Sequence, residues 1–130
     1  MRTRTGLDWT DRFPSIVKAA AALPNCLMDG EACVLDAEGH PSFAALQAVL
    51  SGERKAPIVY FVFDLLHDGQ RDLRNEPLET RKKLLRAMVP EGQKILRFLD
   101  HVSGPGQAVL SSACELSMEG IVSKRGDARY

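Results

Sequence analysis

Residues 118–125, MEGIVSKR, place an acidic residue and a cation at the two ends of a short apolar pair. The pair Ile121 and Val122 predicts a short buried strand, with Glu119 at its mouth and Lys124 at its far end. A carboxylate can hold a divalent metal and an ammonium group can contact phosphate, a combination that suits a nucleotide. An ordinary loop-to-strand junction with solvated charges explains the same eight residues equally well.

A second acidic segment lies at residues 27–36, LMDGEACVLD, where two carboxylates flank a glycine. Asp29 and Glu31 are two residues apart, so on a strand their side chains share one face and could grip one cation together. Gly30 between them lacks a side chain and could let a ligand or metal approach the backbone. An Asp-Gly pair is more often a turn, which is the alternative here.

The third segment, VYFVFDLL at residues 59–66, is an aromatic-rich strand that ends beside an acid. Strict alternation places Phe61, Phe63 and Leu65 on one face of the strand and Val62 on the other. Aromatic residues in such a stripe usually belong to the core, although one ring at a strand end can stack on a base.

Taken in this order, the three segments resemble the nucleotidyltransferase domain of ATP-dependent DNA ligases, most closely the bacterial ligases of double-strand-break repair. That family carries LDGE-type, YFxFDLL-type and EGIVSK-type motifs at about the separations found here. Residues 2–10, RTRTGLDWT, resemble its S/T-R-x-G-x-D-W-T segment. The resemblance therefore covers nearly the whole chain.

The resemblance implies an α+β fold with mixed or antiparallel sheets and flanking helices. This is part of the DNA ligase nucleotidyltransferase (ATP-grasp-like) fold, in which ATP lies between sheets. It implies that Glu31 contacts the ribose or a metal, that Phe63 stacks on adenine and that Glu119 is a metal ligand. Arg4 would contact the nucleotide or a DNA phosphate, and Lys124 lies within the motif as a further nucleotide contact. The implied cofactors are ATP and Mg²⁺ or Mn²⁺.

The family's reaction supplies further expectations. A lysine attacks ATP to give a lysyl-AMP, AMP passes to a 5′-phosphate at a nick, and the neighbouring 3′-hydroxyl seals the break. The implied partners are nicked or broken double-stranded DNA, an OB-fold domain and further end-joining domains. Within the third segment, the resemblance predicts that Phe63 borders an open cleft while Phe61 is fully packed.

The family's nucleophile is the lysine of a K-x-D-G-x-R motif, and this sequence lacks it. The residue two positions before Asp29 is Leu27, and the residue two positions before Asp68 is Leu66. We therefore expect residues 1–130 to form the central part of an adenylation domain, natural or engineered, that is inactive alone. Two alternatives stay open. An RNA ligase or capping-type enzyme is disfavoured by the GLDWT opening, and a non-catalytic domain would keep only nucleotide, DNA or protein binding.

Composition excludes a strongly charged nucleic-acid binder, because 17 basic and 17 acidic residues give a formal net charge of +0. Any DNA contact must come from local basic clusters. These are Arg2, Arg4 and Arg12, then Arg81, Lys82 and Lys83, then Lys124 and Arg125. A run of charges on a helix is usually a solvated face, which is what we expect of residues 81–83.

Cysteine usage and hydropathy point to the cytoplasm. Cys26, Cys33 and Cys114 are odd in number and show no CxxC spacing, which argues against disulfides or a zinc site and fits a reducing compartment. No apolar run approaches 18 residues and the N-terminus lacks a signal-peptide pattern, so no membrane association is expected.

Hydrophobic periodicity and turn residues predict a mixed order of elements without strict βαβ repetition. The predicted helices cover residues 14–23, the stretch from Ser42 to Gly52, the stretch from Pro77 to Pro90, and residues 109–116. The predicted strands cover residues 27–35, 57–66, 94–99 and 121–124. Such an order favours a mixed sheet with helices packed on it.

Overall fold

The structure is a computed structural model that describes residues 1–115, 118 and 120–130. A short 3₁₀ helix at Thr10–Arg12 precedes four helices and four strands, which confirms the α+β expectation. In chain order they are α1 (Pro14–Ala20), β1 (Leu27–Leu35), β2 (Pro41–Ser42), α2 (Phe43–Leu50), β3 (Val59–His67), α3 (Leu78–Met88), β4 (Leu96–Phe98) and α4 (Gly106–Glu115).

The four strands form one sheet in the order β2-β1-β3-β4. Strand β1 pairs antiparallel with both β2 and β3, whereas β3 and β4 are parallel. The sheet is therefore mixed, as predicted. No described helix is long and apolar enough to span a membrane.

Local signals in the sequence set most helix ends. Pro14 occupies the first turn of α1, where its missing N–H would have had no partner. The Ser42 Oγ accepts a hydrogen bond from the Ala45 N–H at 3.2 Å and caps α2, which is followed by Gly52 in a left-handed conformation (φ +84°). Helix α3 follows Pro77 and stops two residues before Pro90.

Helices α1, α2 and α3 pack on the sheet and form two hydrophobic clusters with it. The scaffold cluster is defined by Phe13, Ile16, Val34, Ala45 and Ile58. The β3–α3 cluster is defined by Val62, Leu65, Leu73, Leu85, Val89 and Leu96. Tyr60 contacts both clusters and lies at the boundary between them.

A bulge interrupts β3 at Phe63. Gly30 pairs with Val62 and the adjacent Asp29 pairs with Asp64, so Phe63 is an extra residue with no partner on β1. The bulge overrides the predicted alternation, because Val62 and Leu65 now enter the same cluster. Simple two-residue periodicity could not show this shift.

The predicted strand at residues 121–124 is absent from the structure. The described residues 120–125 have no strand, and the side chains of Ile121 and Val122 are 37% and 85% exposed. A strand needs a hydrogen-bonded neighbour. Neither outer strand of the described sheet, β2 or β4, pairs with Ile121 or Val122. Glu119 lies outside the described residues, as does the last residue of the helix predicted at 109–116.

Candidate functional site

Two of the predicted nucleotide-binding residues, Phe63 and Lys124, meet in the structure. The Lys124 ammonium nitrogen lies over the Phe63 ring, 5.2 Å from its centroid. A cation at this distance is attracted by the negative face of the ring. The half-buried Phe63 therefore presents an aromatic surface and a cation at one place.

A second lysine approaches Phe63 from helix α3. The Lys82 ammonium donates to the carbonyl oxygens of Leu99, at 3.0 Å, and of Phe63, at 3.5 Å. Burial lowers the pKa of Lys82 below its usual value, and the charge of Lys124 lowers it further, while Asp100 and Asp64 oppose the shift. Two positive charges therefore flank the Phe63 position.

Beside Phe63, a buried ion pair joins β3 to α3. Arg81 donates to Asp64 through Nε, at 2.7 Å, and through Nη2, at 3.0 Å, and both side chains are almost fully buried (2% and 1% exposed). The remaining Nη1 donates to the carbonyl oxygens of Glu76 and Ala128. The expectation that residues 81–83 form a solvated face is wrong for Arg81 and Lys82, because both find polar partners inside the fold.

The last residues of the chain cap the N-terminus of α3. The backbone N–H groups of Leu78 and Glu79 donate to the carbonyl oxygens of Ala128, at 2.9 Å, and Gly126, at 3.0 Å. Helix α3 has no side-chain cap, so these carbonyls satisfy groups that every helix start leaves without an internal partner. The Tyr130 N–H is held in turn by the Arg74 carbonyl, at 2.9 Å.

A cavity of about 320 Å³ lies between this terminal segment and β3. Its lining is rich in cationic groups around the buried ion pair. The lining residues are Asp64, Leu78, Arg81, Lys124, Arg125, Ala128, Arg129 and Tyr130. Arg81 is paired with Asp64 and Arg125 with Asp127, so Lys124 and Arg129 are the lining cations for which the described residues show no ion pair.

The predicted acid Glu31 lies away from Phe63, in a row of paired residues that runs across strands β1, β3 and β4. Glu31 pairs with Phe61 of β3, and Phe61 pairs with Arg97 of β4, whose guanidinium carbon is 5.9 Å from the Phe61 ring centroid. Glu31 is exposed, and this row faces away from both hydrophobic clusters. Phe61 is therefore only half-buried, so the expectation that it is fully packed is wrong.

Gly30 serves packing rather than ligand access. A Cβ atom at Gly30 would lie 2.5 Å from the Phe61 carbonyl oxygen and 2.9 Å from the Tyr60 ring. The expected open approach to the backbone is thus filled by Tyr60. Burial raises the pKa of Tyr60 to about 12, and the nearby charge of Asp29 adds to the shift.

Arg4 lies apart, in an exposed turn whose backbone is closed by hydrogen bonds from Thr3 to Leu7 and from Gly6 to Thr3. Among the described residues, its side chain has no hydrogen bond or ion pair. Glu119, the other predicted metal ligand, lies outside the described part of the chain. Within that part, no group of three or more metal-ligating side chains occurs.

The Asp64–Arg81 pair is the feature that motif analysis missed. Its signal was present in the sequence. Arg81 occurs at helical spacing with the apolar Leu78 and Leu85, and Asp64 lies within an otherwise apolar strand. A charged residue at a core position of a helix predicts a buried partner, because an unpaired buried charge is costly.

Comparison with known proteins now places the chain. The family model of the ATP-dependent DNA ligase domain matches residues 1–130. The chain belongs to this ligase family. It is 41% identical to the multifunctional non-homologous end joining protein LigD of Pseudomonas aeruginosa over 98% of its length, and 37% identical to a probable DNA ligase of Streptomyces coelicolor. It spans 16% of the first of these relatives and 28% of the second.

Solved structures of ligases share the fold. The ligase domain of Mycobacterium tuberculosis LigD matches with a TM-score of 0.77 at 31% identity, covering 99% of this chain and 41% of that one. A mycobacterial DNA ligase D complexed with ATP and MES matches with a TM-score of 0.79, also at 31% identity, covering 99% and 42%. The resemblance drawn from the motifs, and the nucleotidyltransferase fold it implied, are confirmed.

Proposed function

We propose that residues 1–130 form part of the adenylation domain of an ATP-dependent DNA ligase. The domain would bind ATP for nucleotidyl transfer to the 5′-phosphate of nicked or broken DNA during double-strand-break repair. The observation that carries the proposal is the contact between Phe63 and Lys124, which puts an aromatic face and a phosphate-binding cation together in a chain of this family.

In this proposal Phe63 stacks on adenine and Lys124 contacts the phosphates. The Lys124 ammonium lies over the ring that the base would use. Adenine stacking on that face therefore displaces the ammonium, and its flexible four-carbon stem lets it turn towards the triphosphate. Arg129, which lines the same cavity as Lys124, would add positive charge near the phosphates.

Glu31 would hold the ribose or a Mg²⁺ or Mn²⁺ ion, with Glu119 as the second metal ligand. Mg²⁺ in nucleotide sites is usually bound by one or two carboxylates together with phosphate oxygens and waters. An exposed Glu31, two residues from Asp29, fits that donor set. A bound ion would neutralise charge on the phosphates.

The remaining partners follow from the same assignment. Arg4, on an exposed turn, would contact the nucleotide or a DNA phosphate. A ligase of this kind would work with an OB-fold domain and other end-joining domains on broken double-stranded DNA. The proposed function would operate in the bacterial cytosol and nucleoid.

The chemistry requires an amine in line with the α-phosphate of ATP. Attack by that amine forms a nitrogen–phosphorus bond and releases pyrophosphate. The K-x-D-G-x-R lysine that performs this step in the family has no counterpart in the sequence. We therefore expect the chain alone to bind ATP without becoming adenylated.

The test compares Phe63→Ala with Phe61→Ala in calorimetric titrations with ATP and magnesium. The two rings are similarly half-buried on one strand, so the second variant is a matched control. Since stacking a base on a ring is worth about 1–3 kcal/mol, Phe63→Ala should weaken ATP binding by about 5- to 150-fold. Phe61→Ala should leave ATP affinity within about threefold, because its ring lies beside Arg97 rather than Lys124.

Equal ATP affinities for both variants and the unaltered chain would show that Phe63 does not hold adenine. Incubation with labelled ATP followed by denaturing electrophoresis addresses the missing nucleophile. Label that survives denaturation would mean that another lysine, with Lys124 the first to examine, takes its place. A non-catalytic domain that keeps only nucleotide, DNA or protein binding is the alternative function, and it too predicts no covalent label.

A further inference from the structure

We propose that Arg81 is a positioning residue of the nucleotide site. Together with Asp64 and the first turn of α3, it holds the terminal segment, residues 124–130, in the register that keeps Lys124 beside Phe63, from where its ammonium can leave the ring and reach the phosphates of a base stacked there. The positioning itself is a property of the fold, and its consequence for ATP rests on the function proposed above.

The terminal segment depends on polar contacts for its place. It contains no helix or strand, and its residues are exposed or half-buried. Its described attachments are backbone hydrogen bonds to Leu78, Glu79 and Arg74, the contact of the Ala128 carbonyl with Arg81, and a long contact of 3.4 Å from the Tyr130 hydroxyl to Asp29. Little apolar surface fixes the segment, so its register follows from these bonds.

Arg81 is the group that links the segment to the ring. One guanidinium binds Asp64, the residue next to Phe63, and also donates to the carbonyl oxygen of Ala128, four residues after Lys124, at 3.2 Å. Its carbon also lies 5.9 Å from the centroid of the Tyr130 ring. The ring and the ammonium of the site are therefore joined through a single planar side chain.

The chemistry of this link requires arginine. A guanidinium offers five N–H donors in a rigid fork, and Arg81 directs them at a carboxylate and at two carbonyl groups. A lysine would keep the charge but could not serve Asp64 with two parallel bonds while reaching Ala128. Arg81→Lys should therefore loosen the terminal segment without leaving Asp64 unpaired.

The experiment uses the full chain with Arg81→Lys and a matched control, Arg86→Lys. Arg86 lies on the same helix and forms ion pairs with Asp100 and Glu91, but it has no described contact with residues 124–130. The first measurement is by NMR. With its ammonium nitrogen over the Phe63 ring, Lys124 should show an upfield ring-current shift of the methylene protons next to that nitrogen. This shift should vanish in Arg81→Lys and persist in Arg86→Lys.

The second measurement is ATP affinity by calorimetry. A hydrogen bond to a charged group contributes about one to two powers of ten to affinity, so we expect Arg81→Lys to weaken ATP binding by about tenfold and Arg86→Lys to leave it unchanged. A merely structural role for Arg81 would lower the melting temperature but leave the Lys124 resonances in place.

A second pair of variants covers the case in which Arg81→Lys does not fold. Glu79→Pro removes the N–H that donates to the Gly126 carbonyl, at a first-turn position where helices tolerate proline. Glu79→Ala keeps that N–H and is its control. The upfield shift of Lys124 should be lost in Glu79→Pro and kept in Glu79→Ala.

The outcomes separate this proposal from the proposed function. An upfield shift of Lys124 that persists in both Arg81→Lys and Glu79→Pro overturns the positioning role, whatever happens to ATP. A shift that is lost while ATP affinity stays unchanged also overturns it, because the register would not matter to the ligand. If the unaltered chain fails to bind ATP, the proposed function fails, and the Lys124 resonances still decide whether Arg81 positions the segment.

Discussion

The two hydrophobic clusters of this chain differ in what borders them. The scaffold cluster, built around Ile16, contains no buried charged residue, whereas all three buried charged side chains of the described chain lie beside the β3–α3 cluster. These are Asp64, Arg81 and Lys82. One part of the fold is thus packed with apolar side chains alone, and the other combines apolar side chains with buried charged ones.

The two clusters differ in whether their side chains contribute mainly to stability or to the geometry of the candidate site. Burying an ion pair rarely adds stability over apolar residues of similar size, because desolvation offsets the attraction. Apolar residues would therefore have sufficed at the β3–α3 interface, as they do in the scaffold cluster. The charged residues lie beside Phe63 and the terminal segment, which indicates that they serve geometry there.

The largest expected effect comes from breaking the buried pair on one side only. Arg81→Met leaves Asp64 buried without its partner and should lower the free energy of unfolding by about 3–5 kcal/mol. The double variant Asp64→Leu/Arg81→Met should recover most of that loss while ATP binding stays weak. Urea denaturation measures the first quantity and calorimetry the second, and recovery of both together would show that the pair has no role in positioning.

A change in the scaffold cluster should give the opposite result. Ile16→Ala removes a side chain that is 3% exposed and should cost about 2–5 kcal/mol through lost burial and the cavity left behind. Because neither Phe63 nor any residue of the terminal segment packs against this cluster, ATP affinity should stay unchanged at a temperature where the variant is folded. Weaker ATP binding by folded Ile16→Ala would show that the scaffold cluster also affects the candidate site.

The smallest effect concerns Tyr60, which borders both clusters. Its pKa of about 12 in the folded chain exceeds the usual 10.0, so folding favours the neutral phenol. The resulting stability is complete below pH 10 and is lost as the pH rises from 10 towards 12. Between pH 8 and 12, the free energy of unfolding should therefore fall more steeply for the unaltered chain than for Tyr60→Phe. Identical slopes would mean that Tyr60 is not desolvated at this boundary.

Much of the fold followed from local chemistry. Ser42, Pro14 and Pro77 marked helix starts, and runs of apolar residues marked β1 and β3, because capping, fixed backbone angles and side-chain burial act over a few residues. The motifs placed Phe63 and Lys124 in one site, and the structure brings these two residues into contact.

The rest depended on distant partners. The strand expected at residues 121–124 needed a neighbour that the described sheet does not provide, and Gly30 was expected to face a ligand but faces Tyr60. The burial of Arg81 depends on Asp64, 17 residues earlier, and on Ala128, 47 residues later. Periodicity within one segment carries no information on such separations.

The bulge in β3 also says how this strand tolerates a change of length. Deleting Phe63 would leave Val62 and Asp64 adjacent, opposite the adjacent Gly30 and Asp29, and the two strands would pair there without interruption. The hydrogen-bonded pairing of β1 and β3 does not require Phe63. Chains that lack it could keep the same sheet, so the presence or absence of one residue here would distinguish sequences that retain the ring from sequences that retain only the fold.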